Sequence, residues 1–425
     1  MLYRKNGHKD DIAFEGVRVV DPGQGIDETL TVTVEQGVVT RIEPASGGNG
    51  KVLAPAFVDP HVHLRTPGRE DEEDLASGTR AAAAGGYCAI LAMPNTDPVV
   101  DSAAVLGALI EQAQEHAEIP VGFLAAITKG QEGAELTEMA ELAERGAAGF
   151  SDDGRPIVAP GLLRRALQYG ATAGRPLAVH CEEPTLSRGG HVHEGTVSAE
   201  LGFGGYPSVA ESVMVGRDLA LAAYEERPLH LLHLSARESV DELRRAREAG
   251  VAATGEVTPH HLCLTDEAVR SLDPNVKMNP PLRAHGDRAA LVEALRDGTI
   301  GAVATDHAPH ARHEKEVPFE EAPFGVTGLE TAFSALYTQL VEPGILPLAT
   351  LLERMSAGPA RIYGLEAPRI EVGAPANLVL LDLEAVWHVD EGSFRSKSAN
   401  SWLLDSKLRG RVLQTVAGGK LVYAA

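Results

Sequence analysis

The sequence predicts an α/β protein, a (β/α)8 TIM barrel joined to a small β-sandwich domain built from both chain ends. Three observations predict it. Eight apolar runs alternate with helix-patterned stretches through the middle of the chain. Both ends read instead as short alternating strands separated by Gly, Pro and Asp clusters. Finally, ligand-type side chains stand at the same end of five of the eight runs.

The N-terminal part, residues 1–53, contains "FEGVRVVDPGQG" and "TLTVTVEQGVVTRIEP", where Val, Thr and Ile alternate with polar residues. The C-terminal part, residues 364–425, contains "IEVGAPANLVLLDLEAVWHV" and "RGRVLQTVAGGKLVYAA" in the same pattern. Neither end has enough strands for a stable sheet alone, so the two are expected to combine. Between them, residues 54–363 carry the runs "APAFVD", "YCAILAM", "IPVGFLAAI", "GAAGFSD", "RPLAVHC", "RPLHLLHLS", "VAATGEV" and "GAVATDH". Continuous apolar runs suit parallel strands buried on both faces. Segments such as "AAVLGALIEQAQEHA" and "SVDELRRAREAG" supply the intervening helices. A doubly wound sheet is the competing architecture, but it would carry a Gly-rich phosphate loop after its first strand, and none is present.

With 425 residues and 44% hydrophobic content, the chain can bury a sizeable core. The net charge of −22 argues against nucleic acid as a partner. No apolar run is long enough to span a membrane, and the basic N-terminus lacks the apolar core of a secretory signal. Three scattered cysteines, Cys88, Cys181 and Cys263, do not form a disulfide framework and suit a reducing cytoplasm.

Strand one closes with His61 and His63, strand four with Asp152 and Asp153, strand five with His180, strand six with His233 and strand eight with Asp306. In a barrel these positions meet at one face. Residues two apart on a strand share a side, so His61 and His63 both face the interior. Imidazole and carboxylate suit a borderline divalent cation such as Zn²⁺. The donors are too many for one tetrahedral site and suit two ions sharing a bridge. Arg65, just beyond, is a candidate clamp for a carboxylate. A second His-x-His, His191 and His193, lies in a Gly-rich loop and is not expected to bind metal. His260 and His261 read as loop packing, and Lys129 as a solvated loop residue.

The motifs "DPHVHLR", "MPNTDP", "FSDDG", "VHCE", "LLHLS", "VTPHHL", "VKMNPPLR" and "ATDHAPH" run in order over nearly the whole chain. On them the chain resembles the class I bacterial dihydroorotases of the amidohydrolase superfamily, which are metal-dependent hydrolases. The resemblance implies that His61, His63 and Asp306 hold one zinc ion, His180 and His233 a second, and that Asp153 bridges them in place of the carboxylated lysine used by other members. It implies reversible hydrolysis of the cyclic amide of (S)-dihydroorotate to N-carbamoyl-L-aspartate in pyrimidine biosynthesis, with Asp306 as the catalytic acid/base. Substrate contacts are implied for His63, Arg65, Asn95, Asn279 and His310, and for the backbone at Phe324 and Gly325. Family resemblance also points to a homodimer and raises association with aspartate transcarbamoylase. The alternatives are another cyclic amidase, a hydantoinase or allantoinase, and a non-catalytic scaffold subunit of aspartate transcarbamoylase. The loop "HAPHARHEKE" after strand eight is a candidate lid.

Overall fold

The computed structural model describes residues 1–425. Its eight barrel strands are Phe57–Val62, Tyr87–Ala92, Val121–Ala125, Gly149–Ser151, Leu177–Val179, Leu229–Leu231, Ala253–Val257 and Ala302–Val303. They pair in parallel in sequence order. A bridge between Val62 and His307 brings strand eight back to strand one. All eight apolar runs thus become barrel strands. The first two strands are buried at every position, as a sheet covered on both faces requires.

Helices fill the connections. Leu75–Ala84 starts from the Asp74 cap, whose carboxylate accepts the Ser77 N–H. It ends at Gly85, where an added Cβ would lie 2.1 Å from the Leu329 carbonyl oxygen. Only glycine lets the chain turn back there to enter strand two.

The chain ends form one continuous seven-stranded sheet. Its spatial order is Lys420–Ala424, Lys407–Ala417, Leu378–His388, Val52–Pro55, Ile12–Asp21, Ile26–Glu35 and Val38–Pro44. Two halves of this sheet fold over a shared core that includes Phe14, Val32, Val34, Ile370, Leu378 and Val416. The halves meet at their turns, where the Val39 N–H donates to the Ala374 carbonyl and Gly37 packs on Gly419. The sandwich is therefore one sheet doubled over rather than two separate sheets. The run near residue 54 is shared: Val52–Pro55 pairs within the small sheet, and Phe57 begins the barrel. This direct splice fixes the small domain to the first catalytic-face strand. No helix is long and apolar enough to cross a membrane.

Candidate metal centre and substrate cavity

Strand one delivers Asp59, His61 and His63 to the same side by alternation. Asp59 is fully buried and accepts from the His61 N–H (3.1 Å), the Thr305 N–H (3.2 Å) and the Thr305 hydroxyl (2.5 Å). It ties strand one to the residue preceding Asp306. Burial pushes its carboxyl up to about 7 despite these bonds.

At strand four, the adjacent aspartates divide their work. Asp152 accepts from the Ile127 N–H (2.8 Å), the Thr128 N–H (3.0 Å) and the Thr128 hydroxyl. It is an anchor between strands, and burial pushes its carboxyl up to about 6. Asp153 turns the other way, into the histidines. Asp152→Ala is expected to strand three buried donors and lower stability by roughly 3 kcal/mol. A denaturant melt that leaves the midpoint in place would contradict this.

Six side chains converge on one point. His61 Nε2 lies 3.4 Å from Asp306 Oδ1 and 3.4 Å from Asp153 Oδ2. His63 Nε2 lies 3.0 Å from Asp306 Oδ1 and 3.4 Å from Asp153 Oδ2. On the other side of Asp153, Oδ1 lies 3.3 Å from His233 Nε2 and 3.9 Å from His180 Nδ1. The two oxygens of Asp153 therefore face two different groups of histidines.

The outer nitrogens of three imidazoles are held by acceptors. His61 Nδ1–H donates to Glu256 (2.7 Å), His63 Nδ1–H to Asn95 Oδ1 (2.9 Å) and His180 Nε2–H to Glu182 (2.9 Å). With those protons so placed, the inner nitrogens present lone pairs to one another and to carboxylate oxygens. His61 Nε2, one of these inner nitrogens, is buried and has no hydrogen-bond partner. Converging lone pairs without protons between them call for cations, so the donor set fits divalent metal ions. Burial alone would raise the Asp306 and Asp153 carboxyls; positive charge at the facing nitrogens, carried first by an imidazolium of His61, outweighs it and holds both below the usual range. A divalent cation would place that charge at the same position. His233 (φ 28°), Asp306 (φ 48°) and Arg65 (φ 58°) all sit in the left-handed region, strain that the surrounding packing maintains at this face.

Above the cluster lies a cavity of about 160 Å³, lined by His63, Arg65, Asp153, His180, His233 and Asp306 together with Asn95, Asn279, Phe324 and Gly325. Drug-sized ligands occupy roughly 300–1,000 Å³, so this one suits a small ring. Arg65 is anchored along one edge, its Nε 3.1 Å from the Pro309 carbonyl and 3.0 Å from buried Glu72. Asn279 donates to Glu182 (3.2 Å), while its own Oδ1 is buried without a donor.

His310 does not line this cavity. It stands behind Arg65, 3.5 Å from the guanidinium, with its Nε2–H on the Phe324 carbonyl (2.8 Å). That carbonyl and the Gly325 N–H, which donates to the Lys277 carbonyl (2.9 Å), are both already engaged. Gly325 has φ 116°, and an added Cβ would lie 2.7 Å from the Ala308 Cβ. Gly325→Ala is expected to push this wall inward and lower kcat/KM for a ring substrate about tenfold or more. Unchanged kinetics would show that the wall has room to yield. The loop after strand eight is tied down, with Lys315 Nζ on the carbonyls of Pro274 (3.1 Å) and Pro323 (2.8 Å).

The other histidines lie elsewhere. His193 faces Arg283 (3.3 Å), and His261 bonds Thr258 (2.7 Å) and the Pro280 carbonyl (3.0 Å). Lys129 is exposed and pairs with Glu135 (2.6 Å). Sequence reasoning missed Asp59, Glu72, Glu182 and Glu256. Asp59, Glu182 and Glu256 are acids inside or beside an apolar run, where a buried acid needs partners, and that was the available signal. Glu72, in contrast, is hidden in the charged stretch "GREDEED".

A family profile described as Dihydro-orotase-like matches residues 50–239. A dihydroorotase from Geobacter metallireducens is 43% identical over 422 residues, covering 97% of this chain and 99% of that one. Another, from Caldanaerobacter subterraneus subsp. tengcongensis, is 42% identical over 413 residues, covering 95% and 96%. Among solved structures, an L-hydantoinase (dihydropyrimidinase) from Arthrobacter aurescens superposes with a TM-score of 0.87 at 25% identity, covering 97% and 96%. Its barrel and flanking sheet are shared, while the full-length sequence match runs to the dihydroorotases. The chain belongs to the dihydroorotase family, and it is a cyclic amidohydrolase.

Proposed function

We propose that this enzyme hydrolyses the cyclic amide of (S)-dihydroorotate to N-carbamoyl-L-aspartate, reversibly, as a step of pyrimidine synthesis in the cytoplasm. One observation carries the choice of substrate. A guanidinium, Arg65, opens into the same small cavity as the metal-type donors, and dihydroorotate carries a free carboxylate beside its ring. Hydantoin has no such group.

His61, His63 and Asp306 would hold one zinc ion and His180 and His233 a second, with Asp153 between them. Bound divalent ions supply a water ionised near neutral pH and polarise the amide carbonyl. The remaining work falls to the chain. Arg65 receives the substrate carboxylate through charge-assisted hydrogen bonds. Asn95, whose Oδ1 accepts from His63, has its amide N–H groups left for the same carboxylate. Asn279 offers its unpaired Oδ1 to a ring N–H. His310 supports Arg65 from behind, and Phe324 and Gly325 form the wall against the ring. Water oxygen adds to the amide carbon, the ring C–N bond breaks, and the departing nitrogen takes a proton. Asp306 accepts the proton of the attacking water and delivers it to that nitrogen. Its carboxyl is held below the usual range by the positive charge it faces, so it is ionised at neutral pH.

Chelator treatment followed by zinc restoration tests the metal requirement. The expected result is loss of ring opening on chelation, recovery with zinc, and about two ions per chain in the active protein. Full activity in protein stripped of divalent metal would refute it.

A further inference from the structure

Among the fully buried acids that the mechanism above leaves unused, Glu256 touches the donor cluster from the far side. Glu256 sits in barrel strand seven (Ala253–Val257), a strand that supplies no donor to the metal-type cluster. Its Oε1 lies 2.7 Å from His61 Nδ1 and 3.3 Å from the His233 backbone N. Oε2 lies 3.0 Å from His230 Nε2, and His230 Nδ1 lies 2.8 Å from the Thr254 hydroxyl. Thr254 and His230 also line a separate cavity at the opposite end of the barrel, among Leu177, Leu229 and Ile362, where the strands begin. A single polar chain therefore runs along the barrel axis from that cavity to the catalytic face.

We infer that Glu256 is a positioning residue for both groups of metal donors, and that His230 and Thr254 hold it there from the far end of the barrel. The inference rests on the reading that the histidine–aspartate cluster binds metal. A carboxylate only accepts hydrogen bonds. Against it, His61 must carry its proton on Nδ1, which leaves the Nε2 lone pair directed at the cluster. The same oxygen takes the backbone N–H of His233, a residue at φ 28°. His61 and Asp153 share one grouping with His233, and His61 shares another with His63 and Asp306. Glu256 thus grips one member of each group, His61 through its ring and His233 through its backbone.

A buried carboxylate stays charged only when its oxygens are occupied. His230 supplies the donor to Oε2. Thr254 in turn fixes His230 by donating its hydroxyl proton to Nδ1, so that Nε2 carries the hydrogen aimed at Glu256. The packing alone needs none of this, because an apolar residue of similar volume would fill the same interior position.

Glu256→Gln is the direct test. Glutamine keeps the volume and can still accept from His61. It can also donate to His230, whose ring swaps tautomer against Thr254, so the fold is retained while the negative charge is lost. Wild-type and variant proteins would be loaded with zinc and challenged with graded chelator. The same proteins loaded with cobalt would report the environment of the ion by visible absorption. The expected result is metal release from Glu256→Gln at about 10- to 100-fold lower chelator strength, with a shifted cobalt spectrum. His230→Leu is expected to change both readouts in the same direction, and His230→Gln, which restores a donor to Glu256, to recover part of the loss. Equal release within about twofold and identical cobalt spectra in Glu256→Gln would overturn the inference. If that variant does not fold, Thr254→Val decides in its place, with weakened metal retention expected and unchanged retention overturning. Wild-type protein that binds no metal at all would instead overturn the reading on which the inference rests.

Discussion

Asp306→Asn is expected to lower kcat for dihydroorotate ring opening by about 10²- to 10⁴-fold, the range of a positioned acid/base. The loss should appear in kcat more than in KM, because the proton transfer belongs to the transition state rather than to ground-state binding. Asparagine preserves the size of the side chain and can turn its amide N–H toward His63 Nε2, which lies 3.0 Å from Asp306 Oδ1. It cannot take a proton from water and return it to nitrogen. Asp306 also stands in the donor group with His61 and His63, so metal content must be measured in the same sample. Near-normal turnover by Asp306→Asn with metal present would remove Asp306 from the chemistry.

The second large effect concerns substrate choice. Arg65→Met is expected to raise KM for dihydroorotate by about 100-fold, close to 3 kcal/mol, the value of one or two charge-assisted hydrogen bonds. Any slow turnover of hydantoin, which lacks the carboxylate, should change by less than about threefold. The variant also removes one ion-pair partner of Glu72, but Arg69 still pairs with that carboxylate. A thermal melt beside the kinetics separates instability from lost recognition. Equal loss on both substrates would show that Arg65 serves the fold of the cavity and not the carboxylate.

Much of this arrangement is legible in the sequence because barrel geometry converts position along the chain into position in space. A strand buried on both faces reads as an apolar run, and polar residues closing such runs meet at one end. His61, His63, His180, His233 and Asp306 are found that way, with Asp152 and Asp153 as a pair from which the family resemblance picks Asp153, and the structure brings these six together. What lay beyond reading depends on distances between segments far apart in sequence. Nothing local distinguishes Asp153 from Asp152; the difference lies in the turn that hands Asp152 to Thr128 and leaves Asp153 facing the histidines. His310 reads as a substrate contact by its place in "ATDHAPH", yet the chain carries its ring behind Arg65 onto the Phe324 carbonyl. Glu256 looks like one stray acid in an apolar strand, because its partners His61 and His230 come from strands one and six. The doubled sheet was equally hidden. Alternating strands at the two ends show that a β-domain exists, but the pairing of Val52–Pro55 with Ile12–Asp21 and with Leu378–His388, which makes it continuous, is set by tertiary packing.

The measurement that bears most directly on the account is ring opening of dihydroorotate and of hydantoin by the same purified, metal-analysed protein, followed by ultraviolet absorbance. The account predicts rapid turnover of dihydroorotate, with hydantoin slower by orders of magnitude. Turnover of hydantoin at an equal or greater rate would contradict it, leaving the barrel and its donor cluster in place but removing Arg65 as the determinant of substrate.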